Sequence, residues 1–325
     1  MTHTPWHAVL SVLASSLFVA AAQAQVTPDR TYYGIDRAVP MTVKVPSDIK
    51  GEASIKLFAP QGTEPTASAP VAAGAVDLAK VFPDFWKSAT NLQYAQLVVG
   101  EKKVGSPVVL QPLKNPSVAS SDGRRVVFRG NPDGQGMSGI RAYSEKHVLF
   151  NTSLGELKFR LRPDHAPNTC WSMMELVKGG FYTDIIFHRI VAANSFMAQC
   201  GDPTGTGSGG PGFNIDFENS RLPHDFGVLS MARTNDPNTA GSQFFVCFSR
   251  SGTSFLDGNY VSYGEAVSGA ETIVALTKVE TIQDGRENSK PVNPPKLISA
   301  TLVDAPPFGE GPAPVKPPQA EAAPR

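Results

Sequence analysis

The sequence predicts a mainly β protein: a closed eight-stranded antiparallel barrel capped by two helices, preceded by a small β-sandwich-like domain. Short alternating runs such as Met41–Val45 and Ala53–Leu57 recur through the first third of the chain. From His147 to Val303 there are about eight further strand-like runs and only two helical periodicities, which suits a barrel whose closure removes exposed sheet edges. Between the two stretches, Asn115–Gly139 is dense in Pro, Gly, Ser and Asp and is expected to hold the boundary. A chain of 325 residues has room for two such cores.

At the amino end, Ala8–Ala21 is apolar and Ala22-Gln23-Ala24 has the small-x-small pattern of a signal-peptidase site. The run is too short to span a bilayer, so residues 1–24 read as a signal peptide. The expectation is an exported protein, periplasmic or secreted, with no membrane span after cleavage. Residues 26–135 form the sandwich-like domain, with strands at Met41–Val45, Ala53–Leu57, Tyr94–Val99 and Val108–Leu110. A surface loop is expected over Pro60–Gly74, and Val126–Phe128 reads as a last strand. Asp84, Trp86 and Lys87 stand isolated, and no catalytic constellation is visible in this part.

Residues 140–304 form the second domain. His147–Phe150 and Glu156–Leu161 flank turn residues as a hairpin. Pro167 and Asn168 introduce a helix that Gly179-Gly180 stops, with Cys170, Met173, Met174 and Val177 on one buried stripe. Further strands are expected at Ile185–Val191, Phe196–Cys200, Val228–Ala232, Phe244–Phe248, Val261–Ala266 and Leu297–Val303. A second helix at Gly269–Val279 should bury Ala270, Ile273, Val274 and Thr277. Residues 305–325, rich in Pro and Ala, read as a disordered or polyproline-like tail.

Lys+Arg and Asp+Glu are both 29, so no net charge draws the chain to nucleic acid or anionic lipid. Cys170, Cys200 and Cys247 are odd in number and read as small buried apolar residues, although a Cys200–Cys247 bridge stays open. The loop Gly201–Gly210 lacks the Gly-Lys-Ser/Thr ending of a phosphate cradle.

One group of blocks carries the chemistry: Phe187-His188-Arg189, Phe196-Met197-Ala198-Gln199, Gly241-Ser242-Gln243-Phe244-Phe245 and Leu256-Asp257-Gly258. They bring an arginine, glutamines and large apolar side chains, with no nucleophile–base pair or metal cluster at a readable spacing. Such a set suits a reaction that breaks no covalent bond. Over roughly residues 145–303 the chain resembles the cyclophilin-type peptidyl-prolyl cis-trans isomerases, and the strand order of the barrel follows from that resemblance. It implies Arg189 and Gln199 as catalytic residues. Phe196, Met197, Ala232, Gln243, Phe245, Phe255, Leu256 and Tyr260 are implied to bind substrate. It implies no cofactor and no metal. The partners are proline-containing peptides and unfolded proteins, not nucleic acid, with a further partner conceivable through the N-terminal domain. His188 reads as structural.

Rotation about an X-Pro bond is opposed by amide resonance, a barrier of about 18–20 kcal/mol. At the top of the barrier the proline nitrogen regains a lone pair, so a donor aimed at it binds the twisted state and not the planar one. Guanidinium stays charged and can also hold the neighbouring carbonyl. Accelerating exchange about ten-thousand-fold needs roughly 5.4 kcal/mol. One charged hydrogen bond contributes about 1.5–3 kcal/mol. An apolar wall that desolvates the dipolar planar amide must supply the rest.

The chain departs from the family pattern at several points. Six residues, Ile190–Ser195, separate Arg189 from Phe196 where the family has four, so a bulge or wider loop must absorb two. Ala232-Arg233-Thr234 replaces Ala-Asn-Ala, and Arg233 could bias substrate charge. Phe255 stands where the family has a tryptophan important for cyclosporin binding, which implies weak inhibition. Tyr260 replaces a histidine. The rival readings are a proline-peptide binding or scaffold module with little turnover, and a docking role centred on the N-terminal domain.

Overall fold

A computed structural model describes residues 25–114, 118–121, 125–129, 136–285 and 287–318. The expected signal peptide, parts of the Asn115–Gly139 segment and the last seven residues lie outside the described residues.

The chain is mainly β with few helices. Its first part holds a six-stranded antiparallel sheet in the order Tyr32–Gly34, Met137–Ser144, Lys102–Lys114, Gln93–Val99, Ala53–Phe58, Ala67–Pro70. A three-stranded sheet of Gln25–Pro28, Pro40–Lys44 and Gly74–Asp77 shares its core, in which Met41, Val43, Ile55, Leu97, Val108 and Ile140 are buried. The expected loop over Pro60–Gly74 contains the edge strand Ala67–Pro70. Met137–Ser144, by contrast, belongs to this first sheet and pairs with Lys102–Lys114, so the chain passes between units at Glu145. The passage was invisible in the sequence because Met137–Thr152 is one strand-like text with no breaker at its midpoint. Gly139, at φ +151°, marks a bulge there, and a Cβ on it would lie 2.0 Å from Tyr33 O.

Val126–Arg129 is not a last strand of that sheet. It pairs with Val118–Ser121 as a separate hairpin that reaches the second unit, where Asn238 Nδ2 donates to Ala119 O at 2.9 Å.

The second part is built on a nine-stranded antiparallel sheet. Its order is Ile185–Ile186, Lys296–Asp304, Lys146–Thr152, Gly155–Leu161, Ser262–Ser268, Val228–Met231, Phe244–Cys247, Met197–Cys200, Arg189–Val191. The sheet has nine strands where eight were expected. The run Ile185–Val191 is two short strands broken at Phe187-His188, one on each end of a curled sheet. Among the described residues no ladder joins those ends. Inside the curl, Phe150, Phe159, Tyr182 and Phe244 form one aromatic cluster with centroids 5.1–6.5 Å apart. All three cysteines are buried and free. Cys200 and Cys247 sit at opposite ends of the Met197–Cys200/Phe244–Cys247 ladder, out of reach of each other.

Helix Pro167–Lys178 buries Cys170, Met173, Met174 and Val177 as its spacing predicts. Its N-terminus has no local cap; Glu218, far along the chain, accepts from Asn168 N at 2.9 Å and Thr169 N at 2.8 Å. Helix Ala270–Thr277 buries Ile273 as expected, together with Thr272 and Leu276, while Ala270, Val274 and Thr277 are only partly buried.

The Pro-rich segment differs most from expectation. Residues 305–308 and Val315 are packed against the protein, whereas 309–314 and 316–318 are exposed. Phe308 stacks on Phe58 at 4.8 Å and Tyr94 at 4.9 Å. Its N–H donates to Gln96 Oε1 at 2.8 Å, and Ser106 Oγ donates to Ala305 O at 2.6 Å. Val315 N donates to Ala266 O at 2.8 Å, so the same segment binds both units. A single phenylalanine and valine among prolines supply the anchoring, which composition alone hides.

At the seam, Glu145 lines a cleft with Tyr94, Arg160, Arg162 and Asp164. Burial raises its carboxyl to about 7, against the pull of Arg160 and Arg162. A pKa raised in the folded state stabilises below the unfolded value, and that contribution is lost as pH rises from about 4.5 through 7. Glu145→Gln is therefore expected to raise stability by about 1–3 kcal/mol at pH 8 and leave it unchanged at pH 4.5, read from denaturant midpoints.

Candidate active site

Arg189 and Gln199 are directly opposed in register, and so are Val191 and Met197. Opposed residues share a face, and Arg189 Nη1 donates to Gln199 Oε1 at 3.1 Å. The two surplus residues are absorbed in the turn between these strands, where Asn194 and Ser195 take positive φ of 55° and 50°. Ser249 Oγ donates to Ser195 O at 3.0 Å. Gly252 lets the turn settle, because a Cβ there would lie 2.3 Å from Asn194 O. The widened turn thus leaves the register of the following strand intact.

One cleft of about 580 Å³ is lined by Arg189, Gln199, Phe196, Met197, Ala232, Phe245, Phe255, Leu256 and Tyr260. Met197, Phe245 and Leu256 are buried in its wall, while Phe255 is 64% exposed and stacks on Phe196 at 5.5 Å. Gln243 is not in this cleft. It lines a neighbouring one along Gly207–Phe213, and Gln199 and Ala232 border both. Gln199 Nε2 donates to Gln243 Oε1 at 2.9 Å, and Gln243 Nε2 donates to Gly207 O and Gly209 O. A chain of amides therefore ties the guanidinium to the glycine-rich loop. That loop is wrapped around Asp202, which accepts from Thr204 N, Thr206 N and Gly207 N. Burial alone would raise this carboxyl, but the Thr204 hydroxyl and the backbone N–H groups of Gly209, Thr204 and Gly207 bring it down to about 2.

Arg233 is held by backbone: Nε and Nη2 donate to Asn259 O, Nη1 donates to Thr234 O, and the guanidinium lies 4.4 Å from the Tyr260 ring. Tyr260 in turn meets Phe245 edge-on at 6.0 Å.

Sequence reasoning missed three features. Ser121 and Arg125, from the Val118–Arg129 hairpin of the N-terminal part, line the rim of the cleft. Glu287 pairs with Arg189: Nε and Nη2 donate to its two carboxylate oxygens at 2.5 and 3.0 Å. Glu287 sits on a hairpin, Thr281–Asp284 with Glu287–Pro291, and Asp284-Gly285 is a hairpin-turn signal that could have revealed it.

The third is a line of Ser230, His224 and Asp257. His224 Nε2 lies 2.9 Å from Ser230 Oγ, and Nδ1 lies 2.9 Å from Asp257 Oδ1. The spacing resembles a hydrolytic triad, but Ser230 and His224 are both fully buried. No substrate carbonyl can approach that hydroxyl. Burial lowers the His224 pKa against the opposing pull of Asp257, favouring a neutral ring. Asp257 is also paired with Arg250 at 2.6 Å. These bonds hold the segment bearing Phe255 and Leu256 against the wall of the cleft. His188, next to Arg189 and apart from this line, has both ring nitrogens buried without a hydrogen-bond partner, and burial lowers its pKa.

Residues 147–302 match the family model for cyclophilin type peptidyl-prolyl cis-trans isomerases. The peptidyl-prolyl cis-trans isomerase-like 1 of Aspergillus fumigatus is 40% identical over 162 residues, which are 48% of this chain and 95% of that protein. The isomerase ppi1 of Schizosaccharomyces pombe is 37% identical over 162 residues, 99% of its length. Among solved structures, a cyclophilin type isomerase of Cryptosporidium parvum, crystallised with the dipeptide ala-pro, is 35% identical, with TM-score 0.43 over 48% of this chain and 98% of that one. The chain belongs to the cyclophilin-type peptidyl-prolyl cis-trans isomerases, an enzyme family, and carries 146 residues ahead of the matched domain.

Proposed function

We propose that the chain accelerates X-Pro rotation in peptides and unfolded proteins, with Arg189 donating to the proline nitrogen of the twisted amide. One observation carries this reading: the Arg189 guanidinium lines a cleft whose walls are Phe196, Met197, Phe245 and Leu256. Of its five N–H groups, the hydrogen bonds to Glu287 and Gln199 engage three, which leaves one on each terminal nitrogen. The apolar wall grips the ring and strips water from the carbonyl, and Gln199 orients the donor. Export follows from the Ala8–Ala24 pattern and is part of the same proposal. The curled sheet is read as the family's barrel, and the N-terminal part as an accessory unit that adds a rim to the substrate cleft.

The test is a protease-coupled assay of the full chain with a proline tetrapeptide. The proposal expects a rate proportional to protein concentration at catalytic amounts. Binding of the peptide with no acceleration would instead assign the chain to the scaffold class. A second expectation concerns Phe255, which is exposed at the rim: Phe255→Trp should tighten inhibition by cyclosporin by about tenfold or more, measured in that assay.

A further inference from the structure

We propose that Glu287 is a positioning residue for the isomerisation: its carboxylate, fixed by the Thr281–Pro291 hairpin, holds the Arg189 guanidinium ready in the cleft. This rests on the reading of Arg189 as the donor to the twisted amide.

An arginine side chain carries large rotamer entropy, and any of it that must be frozen at the transition state subtracts from catalysis. Freezing it beforehand moves that cost into folding. The contacts do this on two sides. Glu287 takes Nε and Nη2 in a fork, the geometry that fixes the guanidinium plane. Gln199 takes Nη1 from the neighbouring strand. The Arg189 guanidinium, with a smaller contribution from Ser289, lowers the pKa of this carboxyl and keeps it charged, and Ser289 is buried in the hairpin. Pro291 is buried as well, and the Glu287–Pro291 strand lies against Arg189–Val191. Glu287 is therefore a fixed buttress, not a loose surface acid that finds the arginine by chance. It approaches through the Nε side and leaves an N–H on each terminal nitrogen, so it steadies the donor without consuming it.

The test compares wild type, Glu287→Ala, Glu287→Gln, Glu287→Asp and Arg189→Ala in the full chain, with a proline peptide as probe. Glu287→Ala should lower kcat about tenfold with KM within about twofold. Glu287→Asp should recover most of the loss. Glu287→Gln, which brings donors against donors, should not. The Arg189 Nε–H resonance, slow to exchange in wild type, should be lost in Glu287→Ala and present in Glu287→Asp. Ser289→Ala should show a smaller loss of the same kind. If every Glu287 variant turns over like wild type, or Glu287→Ala is faster, while Arg189→Ala loses most of its activity, the positioning role is wrong. If Arg189→Ala keeps wild-type turnover, the underlying reading of the donor fails instead.

Discussion

Arg189→Ala is expected to lower kcat/KM for a prolyl peptide by about one to two orders of magnitude, the value of one charged hydrogen bond made in the transition state. The fold should persist, because the side chain is about one-third exposed at the rim and not in the core. The loss should fall on kcat, since the planar amide offers the guanidinium little to bind. Substrate affinity should change little, because Phe196, Met197, Phe245 and Leu256 still form the wall. Residual acceleration over water measures what that wall does alone. By the same reasoning Arg189→Lys recovers only a fraction of the activity, as a point charge cannot keep the fork to Glu287 and the bond to Gln199 together.

The second large effect is structural. Truncation after Asp304 should destabilise the N-terminal unit by about 3 kcal/mol, chiefly through loss of the Phe308 ring from between Phe58 and Tyr94. It also strands Gln96, which is fully buried and accepts from Phe308 N, and Ser106, which donates to Ala305 O. Phe308→Ala in the full chain should reproduce most of that cost. Calorimetry reads the result: one cooperative transition in the full chain, and two in the truncated one, the lower belonging to the N-terminal sheets. If the truncated chain melts as the full one does, the segment has no role in joining the units. The isomerase rate should change little, because none of the side chains lining the Arg189 cleft lies beyond Tyr260 in the chain.

Much of the site was legible because it is written in local blocks. Alternation put Met197 and Gln199 on the same face of one strand, and the resemblance supplied the partners that local spacing cannot bring together. The strands of both units and the stripe of Pro167–Lys178 were legible for the same reason: burial on one face imposes a period. What failed depended on contacts distant in sequence. Glu218 caps a helix about 50 residues earlier, and Glu287 reaches an arginine nearly 100 residues before it. The break of Ile185–Val191 into two edge strands is set by which neighbours each half pairs with, and the apolar text is continuous across it. The passage at Glu145 went unseen because a strand may leave one sheet and enter another without a turn. The Pro-rich segment after Asp304 was misread for another reason. Composition averages over residues, whereas docking rests on one ring and a few backbone groups. The role of Ser121 and Arg125 at the rim had no signal in the sequence at all, since the hairpin bearing them lies about 65 residues or more before the rest of the cleft lining and pairs with neither main sheet.

The most direct test is exchange spectroscopy on a proline peptide with a catalytic amount of the full chain and no protease present. The account predicts cis–trans exchange many times faster than in peptide alone, abolished for the most part in Arg189→Ala while the peptide still binds. Peptide resonances that shift on binding but exchange at the uncatalysed rate would contradict it, leaving a proline-binding surface without the rotation it was held to drive.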